Sequence, residues 1–154
     1  MKVSIKGEYG VLAVLELALN GNRGPLQVKA IAKKQSIPPR FLEQVMSALK
    51  REGLVRSVRG SQGGYLLAKS SSEILVGDII EAIEGPVTPM SCVENSLSGV
   101  GVCWQEINPN LCAVHGVWKE VKASVMSVLN STTVQDLCDK TCALNGQRTL
   151  MYHI

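Results

Sequence analysis

Three cysteines and a histidine are the side chains of this sequence whose types and spacing are best suited to chemistry. Cys92, Cys103 and Cys112 follow the pattern C-x10-C-x8-C, and His115 comes three residues after the last cysteine. Thiolate sulfur and imidazole nitrogen are ligands of zinc and iron, so this set could hold a tetrahedral zinc ion or an iron–sulfur cluster. Residues 70–118 contain no Lys or Arg, which leaves a metal as the natural counterion for the thiolates.

The remaining cysteines and histidine suggest no enzyme. Cys138 and Cys142 lie four residues apart and are expected to be packing residues, with a thiol switch or stray metal ligation as the alternatives. A cysteine hydrolase needs a Cys–His pair beside a cleft, and the chain has only His115 and His153. No phosphate-binding loop or catalytic carboxylate pair stands out, so no catalytic residue is assigned.

The cellular compartment decides how the five cysteines are interpreted. The amino terminus has no apolar core or small-residue cleavage site, and no apolar run reaches the length of a membrane-spanning helix. We therefore expect a cytoplasmic protein without a membrane partner. Structural disulfides are disfavoured in a reducing cytosol, so metal binding or redox sensing is the favoured role of the cysteines.

Charge is divided unevenly along the chain. Residues 1–69 hold 12 Lys and Arg against 4 Asp and Glu, a balance of +8, whereas residues 70–154 hold 4 against 9, a balance of −5. This segregation predicts that the first half meets a polyanion and the second half does not.

Hydrophobic periodicity predicts mainly helices in the first half of the chain, followed by one glycine-rich hairpin. Three helices are expected over residues 9–19, 28–34 and about 38–52, and two strands over 54–58 and 65–68. This order is typical of a winged helix-turn-helix, which we place at residues 1–70 as the DNA-binding domain.

The second half is predicted to form the dimer and the cysteine site. A helix over 76–84 precedes a long loop, and a helix from Cys112 to about Leu129 carries an apolar stripe that a second copy would cover. We assign residues 71–130 to dimerisation helices with a cluster-binding loop at 85–112. Residues 131–154 are expected to hold a short helix over 133–137 and a loose tail.

The third helix and the hairpin carry the residues suited to reading DNA. Arg40, Glu43, Gln44, Ser47 and Lys50 lie away from an apolar stripe that begins at Phe41. Gln44 can pair with adenine and Glu43 can accept a hydrogen bond from cytosine N4. Arginines flank the hairpin turn, where one could enter the minor groove.

Three motifs carry a resemblance to a known family. Residues 4–19 (SIKGEYGVLAVLELAL), 41–44 (FLEQ) and 53–68 (GLVRSVRGSQGGYLLA) together resemble the IscR family of bacterial repressors, whose relatives include NsrR and CymR. The resemblance implies a homodimer on a pseudo-palindromic DNA operator, with Arg59 in the minor groove. The residues expected at the DNA are Ser4, Lys6, Arg40, Phe41, Glu43, Gln44, Ser47, Arg56, Arg59, Gly60, Ser61, Gln62 and Gly63.

The cysteine segment also resembles the cluster-binding segment of this family, in which three Cys and one His hold [2Fe-2S]. The gaps between the cysteines are longer here, so [4Fe-4S], zinc or no metal remain alternatives. The resemblance also makes Glu8 of the other subunit a rival to His115 as fourth ligand. It implies a repressor that senses iron–sulfur cluster status and controls cluster biogenesis genes, with cluster donor proteins as further partners. The alternative is a cluster-free thiol, nitric-oxide or cysteine-metabolism regulator on the same fold.

Overall fold

A computed structural model describes residues 3–93 and 111–151 of the chain. They form helices and one antiparallel hairpin, which confirms the predicted mainly helical class with a small wing. The elements are α1 (Ile5–Asn20), α2 (Val28–Gln35), α3 (Pro39–Arg51), β1 (Val55–Val58), β2 (Gly64–Leu67), α4 (Val76–Glu84), α5 (Ala113–Ser131) and α6 (Val134–Met151), with 3₁₀ turns at Gly21–Arg23 and Ser91–Val93.

Helix α1 is the central element, because it packs against α3, α4 and α6. It begins at Ile5, four residues before the predicted start. The reason is a cap: the hydroxyl of Ser4 accepts a hydrogen bond from the amide of Gly7 over 3.2 Å. Gly7 and Gly10 are both buried, and a Cβ on Gly10 would overlap the side chain of Ile83. The glycines therefore let α4 approach α1 closely.

The second and third helices form the helix-turn-helix around a shared core. Ser36 ends α2 in the left-handed conformation with φ 55°, and Pro39 opens α3 at a position where its missing N–H costs nothing. The core gathers apolar side chains from α1, α2, α3, α4, the start of α6 and the segments between these helices. Its fully buried members include Val14, Ile31, Leu42, Val45, Met46, Leu49, Ile74, Ile79 and Val134.

The hairpin is fixed to the rest of the domain by an additional bridge. Val55 pairs with Leu67 and Val58 with Gly64 in the antiparallel register. Leu26, from the segment before α2, exchanges two backbone hydrogen bonds with Tyr65 of 3.0 and 2.8 Å. Leu26 thus acts like a short third strand beside β2 and fixes the hairpin to the helices.

The last helix differs from the prediction, because α6 extends over 18 residues to Met151 instead of ending near Leu137. A capping box starts it: Thr133 Oγ1 accepts from the amide of Asp136, and the Asp136 carboxylate accepts from the amide of Thr133 over 2.8 Å. The amide of Val134 donates to the carbonyl of Ile74 over 2.9 Å, and α6 packs on α1. The pairing with Ile74 and the packing on α1 are tertiary contacts. They stabilise a longer helix than hydrophobic periodicity predicts.

Helix α5 lies at the edge of the described fold. It packs against α4 and the 3₁₀ turn at Ser91–Val93, yet none of its residues is buried within the described chain. Val114, Val117 and Val128 are exposed by 60%, 59% and 64%. Three exposed valines on one helix form an apolar surface that none of the described residues covers.

Candidate nucleic-acid interface and cysteine site

Helix α3 presents one apolar and one polar face. Leu42, Val45 and Leu49 are buried, whereas a polar surface groove lies on the opposite side of the helix. The helix is therefore anchored on one side and free to meet a partner on the other, as a recognition helix must be. The groove is lined by Arg40, Glu43, Gln44, Ser47, Ala48 and Arg51.

Two residues of α3, Arg51 and Phe41, differ from the sequence prediction. Arg51 lines the same groove and was missed, because it falls in the last turn, away from the base-reading start of the helix. Its Nε lies 3.2 Å from Glu52 Oε1 in an exposed pair, which contributes little to stability. Phe41 belongs to the predicted apolar stripe, yet its side chain is 45% exposed beside Arg40 at the helix start.

The wing is positioned by the helices beneath it. Lys50 at the end of α3 donates from Nζ to the hydroxyl of Ser57 over 2.7 Å. Gln27, just before α2, donates from Nε2 to the carbonyl of Ser61 over 3.4 Å. Arg56 and Arg59 both remain exposed. The wing arginines therefore stand on a hairpin whose place relative to α3 is fixed by side-chain contacts.

The wing glycines have a structural reason that the sequence analysis did not give. A Cβ on Gly63, which is buried, would overlap the carbonyl of Val58, and one on Gly64 would overlap the carbonyl of Leu26. Gly60, at the exposed tip, has φ 116°, a backbone conformation that favours glycine. Close packing within the wing thus requires glycine at 63 and 64, independently of any contact between the wing and DNA.

The start of α1 carries the other residues expected at the DNA. Ser4 and Lys6 are exposed, although the hydroxyl of Ser4 is engaged in capping. The Ser4 amide donates to Glu84 at the end of α4 over 2.8 Å. Glu8, the rival metal ligand, is exposed in the first turn of the same helix and is therefore accessible to a second subunit.

The described part of the cysteine site comprises three of the four predicted ligands. Cys92 lies in the 3₁₀ turn at Ser91–Val93, and Cys112 directly precedes α5; both are half-buried and carry no disulfide. His115 follows in the first turn of α5. Cys103 lies outside the described residues.

The imidazole of His115 is the unusual group of this site. Its Nδ1 is buried and has no hydrogen-bond partner among the described residues. An unpaired buried nitrogen costs stability, so a metal or a donor from outside the described chain would be favoured there. Within residues 3–93 and 111–151, no three Cys, His, Asp or Glu side chains lie close enough together to hold a metal ion. The donor chemistry fits a metal, while completion of the set depends on residues beyond that part.

The two remaining cysteines lie on α6, apart from this site. Cys138 is buried and Cys142 is exposed. Burial raises the pKa of the Cys138 thiol, and the neighbouring Cys142 and Asp139 raise it further. A buried neutral thiol behaves as a small apolar side chain, as the packing role predicted for Cys138 requires. The same prediction fails for Cys142, because its side chain is exposed.

No helix in the described ranges is sufficiently long and apolar to span a bilayer.

Comparison with known proteins places these features in a family. The sequence model of the Rrf2 family, described as iron-dependent transcriptional regulator, matches residues 3–140. The HTH-type transcriptional regulator CymR of Bacillus subtilis is 37% identical over 154 residues, which cover the whole of both chains. The HTH-type transcriptional regulator IscR of Klebsiella pneumoniae is 37% identical over 137 residues, 89% of this chain and 79% of the relative.

Solved structures of a CymR and an IscR are also similar to this chain. The structure of CymR, the global cysteine regulator of B. subtilis, superimposes with a TM-score of 0.74 at 36% identity and covers 91% of this chain and 98% of that one. The structure of T. potens IscR gives a TM-score of 0.73 at 37% identity and covers 92% and 88%. Both the helix-turn-helix and the helices that follow it therefore have counterparts in these regulators.

Proposed function

Because the chain belongs to the Rrf2 family of transcriptional regulators, we propose that it is a dimeric repressor that senses iron–sulfur cluster status. Its relatives are DNA-binding regulators and not enzymes, as the sequence analysis predicted.

The proposed DNA surface combines α3, the wing and the start of α1. The exposed groove residues of α3 would read bases in the major groove, and Arg59 would enter the minor groove. Ser4, Lys6, Arg56 and the wing-tip backbone would contact phosphates, which position the protein without reading sequence. The surplus of cations in residues 1–69 supports this surface.

The proposed dimer uses the apolar stripe of α5. Its exposed valines would be covered by the same face of a second copy, as in an isologous two-fold interface. On this proposal residues 1–70 bind DNA and residues 71–130 dimerise and carry the cysteine site. Residues 131–154 add the helix that packs on α1.

The observation that carries the sensing proposal is the buried Nδ1 of His115, which has no hydrogen-bond partner in the described part of the chain and lies one turn after Cys112. Cys92, Cys103 and Cys112 would supply thiolates and His115 the fourth ligand, with Glu8 of the partner subunit as the rival. A [2Fe-2S] cluster is the favoured group; [4Fe-4S] and zinc are the alternatives. When bound, a cluster supplies redox chemistry that is sensitive to iron and oxidants.

The chain's own residues suggest how the signal would reach DNA. Cys112 and His115 lie at the start of α5, and α5 packs on α4, which in turn packs on α1 and α3. Ordering of the cysteine segment in both subunits would bias the spacing of the two DNA-reading heads. Coupling of this kind is reciprocal, so operator binding would tighten retention of the group. We infer cytoplasmic action on iron–sulfur biogenesis genes, with cluster donor proteins as partners.

The second candidate function is a cluster-free thiol, nitric-oxide or cysteine-metabolism regulator. The observation that favours it is the match to CymR, which spans the full length of both chains, whereas the match to IscR leaves about a fifth of the relative uncovered.

Anaerobic purification with visible absorption, Mössbauer spectra and iron and sulfide analysis tests the proposal. We expect a coloured protein whose iron falls when Cys92, Cys103, Cys112 or His115 is changed to Ala. Glu8→Ala decides the rival ligand, and Cys142→Ala, an exposed cysteine outside the site, is the matched control. Protein that stays colourless after iron and sulfide reconstitution would contradict cluster sensing. Stoichiometric zinc, or a reversible disulfide that changes DNA affinity, would establish the second candidate.

A further inference from the structure

Lys122 joins α5 to the turn that carries Cys92. Its Nζ donates to the carbonyl oxygen of Val93 over 2.9 Å, in a partly buried hydrogen bond. The turn is also closed on itself, because the amide of Val93 donates to the carbonyl of Met90 over 3.1 Å. Val93 is only 7% exposed. The residue directly after a proposed ligand is thus buried and held by a side chain of α5.

Helix α5 also carries the proposed ligand His115. Lys122 follows His115 by seven residues, which is about two helical turns, so both side chains leave the helix on one face. His115 contributes its buried Nδ1, which accepts no hydrogen bond from the residues that the structure describes, and Lys122 holds the Cys92 turn. Residues 70–118 contain no Lys or Arg, so the Lys122 ammonium brings a positive charge into a segment that has none of its own.

We propose that Lys122 is a positioning residue of the cysteine site. It holds the Cys92 turn against α5 before any metal binds and adds positive charge next to thiolate ligands. The presence of a metal in this inference rests on the proposed function. The position of Lys122 rests on its hydrogen bond to Val93. Prior ordering of the turn lowers the entropy cost of assembling the ligands, and a nearby cation stabilises a reduced, more negative cluster.

Three substitutions separate the hydrogen bond from the charge. Lys122→Arg keeps a charged donor, Lys122→Gln keeps a neutral donor and Lys122→Met keeps only the apolar stem. Lys119→Met is the matched control, because Lys119 is exposed on the same helix. Far-UV circular dichroism and dimer mass confirm that each variant folds before it is compared.

The first measurement is hydrogen exchange of residues 90–93 in the metal-free protein. We expect faster exchange in Lys122→Met and wild-type exchange in Lys122→Arg and Lys119→Met. The second is the anaerobic loss of reconstituted iron to a chelator, which should be roughly tenfold faster in Lys122→Met, as for other outer-shell partners of metal ligands. The third is the midpoint potential, which should fall in both Lys122→Met and Lys122→Gln and stay unchanged in Lys122→Arg.

The outcomes distinguish this inference from the proposed function. Wild-type exchange, chelator loss and potential in Lys122→Met would overturn it. Faster exchange with an unchanged potential would support the clamp and overturn its electrostatic part. A wild-type protein that takes up no cluster would defeat the proposed function, while exchange of residues 90–93 would still decide whether Lys122 holds the turn.

Discussion

The backbone amide of Ser4 donates a hydrogen bond to the carboxylate of Glu84 over 2.8 Å, so the last residue of α4 holds the residue that caps α1. Gly7 leaves room for this contact, since a Cβ there would overlap the Glu84 carboxylate. Gly85 follows with φ 79° and leads towards the Cys92 turn. The start of α1 and the cysteine segment are therefore connected through the end of α4.

A double-mutant cycle tests this contact. Glu84→Ala should lower the free energy of unfolding by about 1 kcal/mol, because it removes a hydrogen bond to a charged acceptor at a solvent-exposed site. In a Gly7→Ala background the carboxylate is already displaced, so the same change should cost almost nothing. Urea unfolding measures both, with the exposed Glu81→Ala on α4 as control. Equal losses in the two backgrounds would refute the link.

The root of the wing gives a second prediction. Gly64→Ala would place a methyl group against the carbonyl of Leu26, and a backbone group cannot turn away as a side chain can. We expect a loss of about 1–3 kcal/mol in unfolding free energy together with weaker operator binding. Ser61→Ala, on the exposed part of the wing, should leave stability unchanged. A fully stable Gly64→Ala protein would show that the bridge between Leu26 and Tyr65 is dispensable.

The helix-turn-helix and wing were predictable because their signals are local. The apolar period of α3, the glycine turn of the hairpin and the pattern of α4 each lie within one element, and α4 was predicted with the bounds Val76–Glu84 that it has. The length of α6 was not predictable in this way. Its start near Thr133 was predicted, but its extension to Met151 was not. The pairing of Val134 with Ile74, sixty residues earlier, and the packing of α6 on α1 are long-range contacts that hydrophobic periodicity does not contain.

The candidate ligands could be predicted from their residue types, but the contacts that position them could not. Cysteine and histidine spacing identified Cys92, Cys112 and His115, since ligand chemistry is a property of the side chain itself. The Lys122 bond to Val93 depends on a contact between α5 and a turn far away in sequence. Position 64 likewise requires glycine because the fold brings the carbonyl of Leu26 against it, and the sequence does not show this contact. Such long-range contacts follow from packing, which the sequence alone does not display.

The capping box of α6 predicts a pH dependence of stability. Hydrogen bonds from the Thr133 hydroxyl and amide hold the pKa of Asp136 below its usual value, and Lys140 adds a smaller effect in the same direction. A lowered folded pKa gives a contribution that is complete above the unfolded value of about 3.9. It is lost as the pH falls from there through the folded pKa.

Asp136→Asn should therefore flatten this part of the profile. Far-UV circular dichroism and urea midpoints between about pH 5 and pH 2 would measure it. The variant should differ most from the wild type at the upper end of this range and converge with it at the lower end. Asp139→Asn, an exposed carboxylate one turn further along α6, serves as control and should keep the wild-type profile. A parallel shift at every pH would contradict the assignment.

The two cysteines of α6 should react at different rates. Cys142 is exposed, whereas burial raises the pKa of Cys138, so Cys138 stays a neutral thiol at pH 7. Alkylation followed by mass spectrometry should modify Cys142 first, and Cys138 only as the pH rises above the ordinary thiol range near about 8.5. Cys138→Ser should cost about 1–3 kcal/mol by burying a hydroxyl, and Cys142→Ser should cost nothing measurable. Equal labelling of both thiols at neutral pH would contradict this packing.

The proposed DNA surface predicts two kinds of loss. Gln44→Ala removes a base-reading amide from the polar face of α3, so it should cost about 1–3 kcal/mol on the operator and relax specificity at one base pair. Arg56→Ala, which removes a proposed phosphate contact, should weaken binding to all duplexes and reduce the slope of log K against log salt by about 1. Titrations at several salt concentrations measure both, with exposed Lys140→Ala on α6 as a charge-matched control. If Gln44→Ala weakened every sequence equally, or wild-type affinity hardly changed with salt, this face of α3 would not be the reading surface.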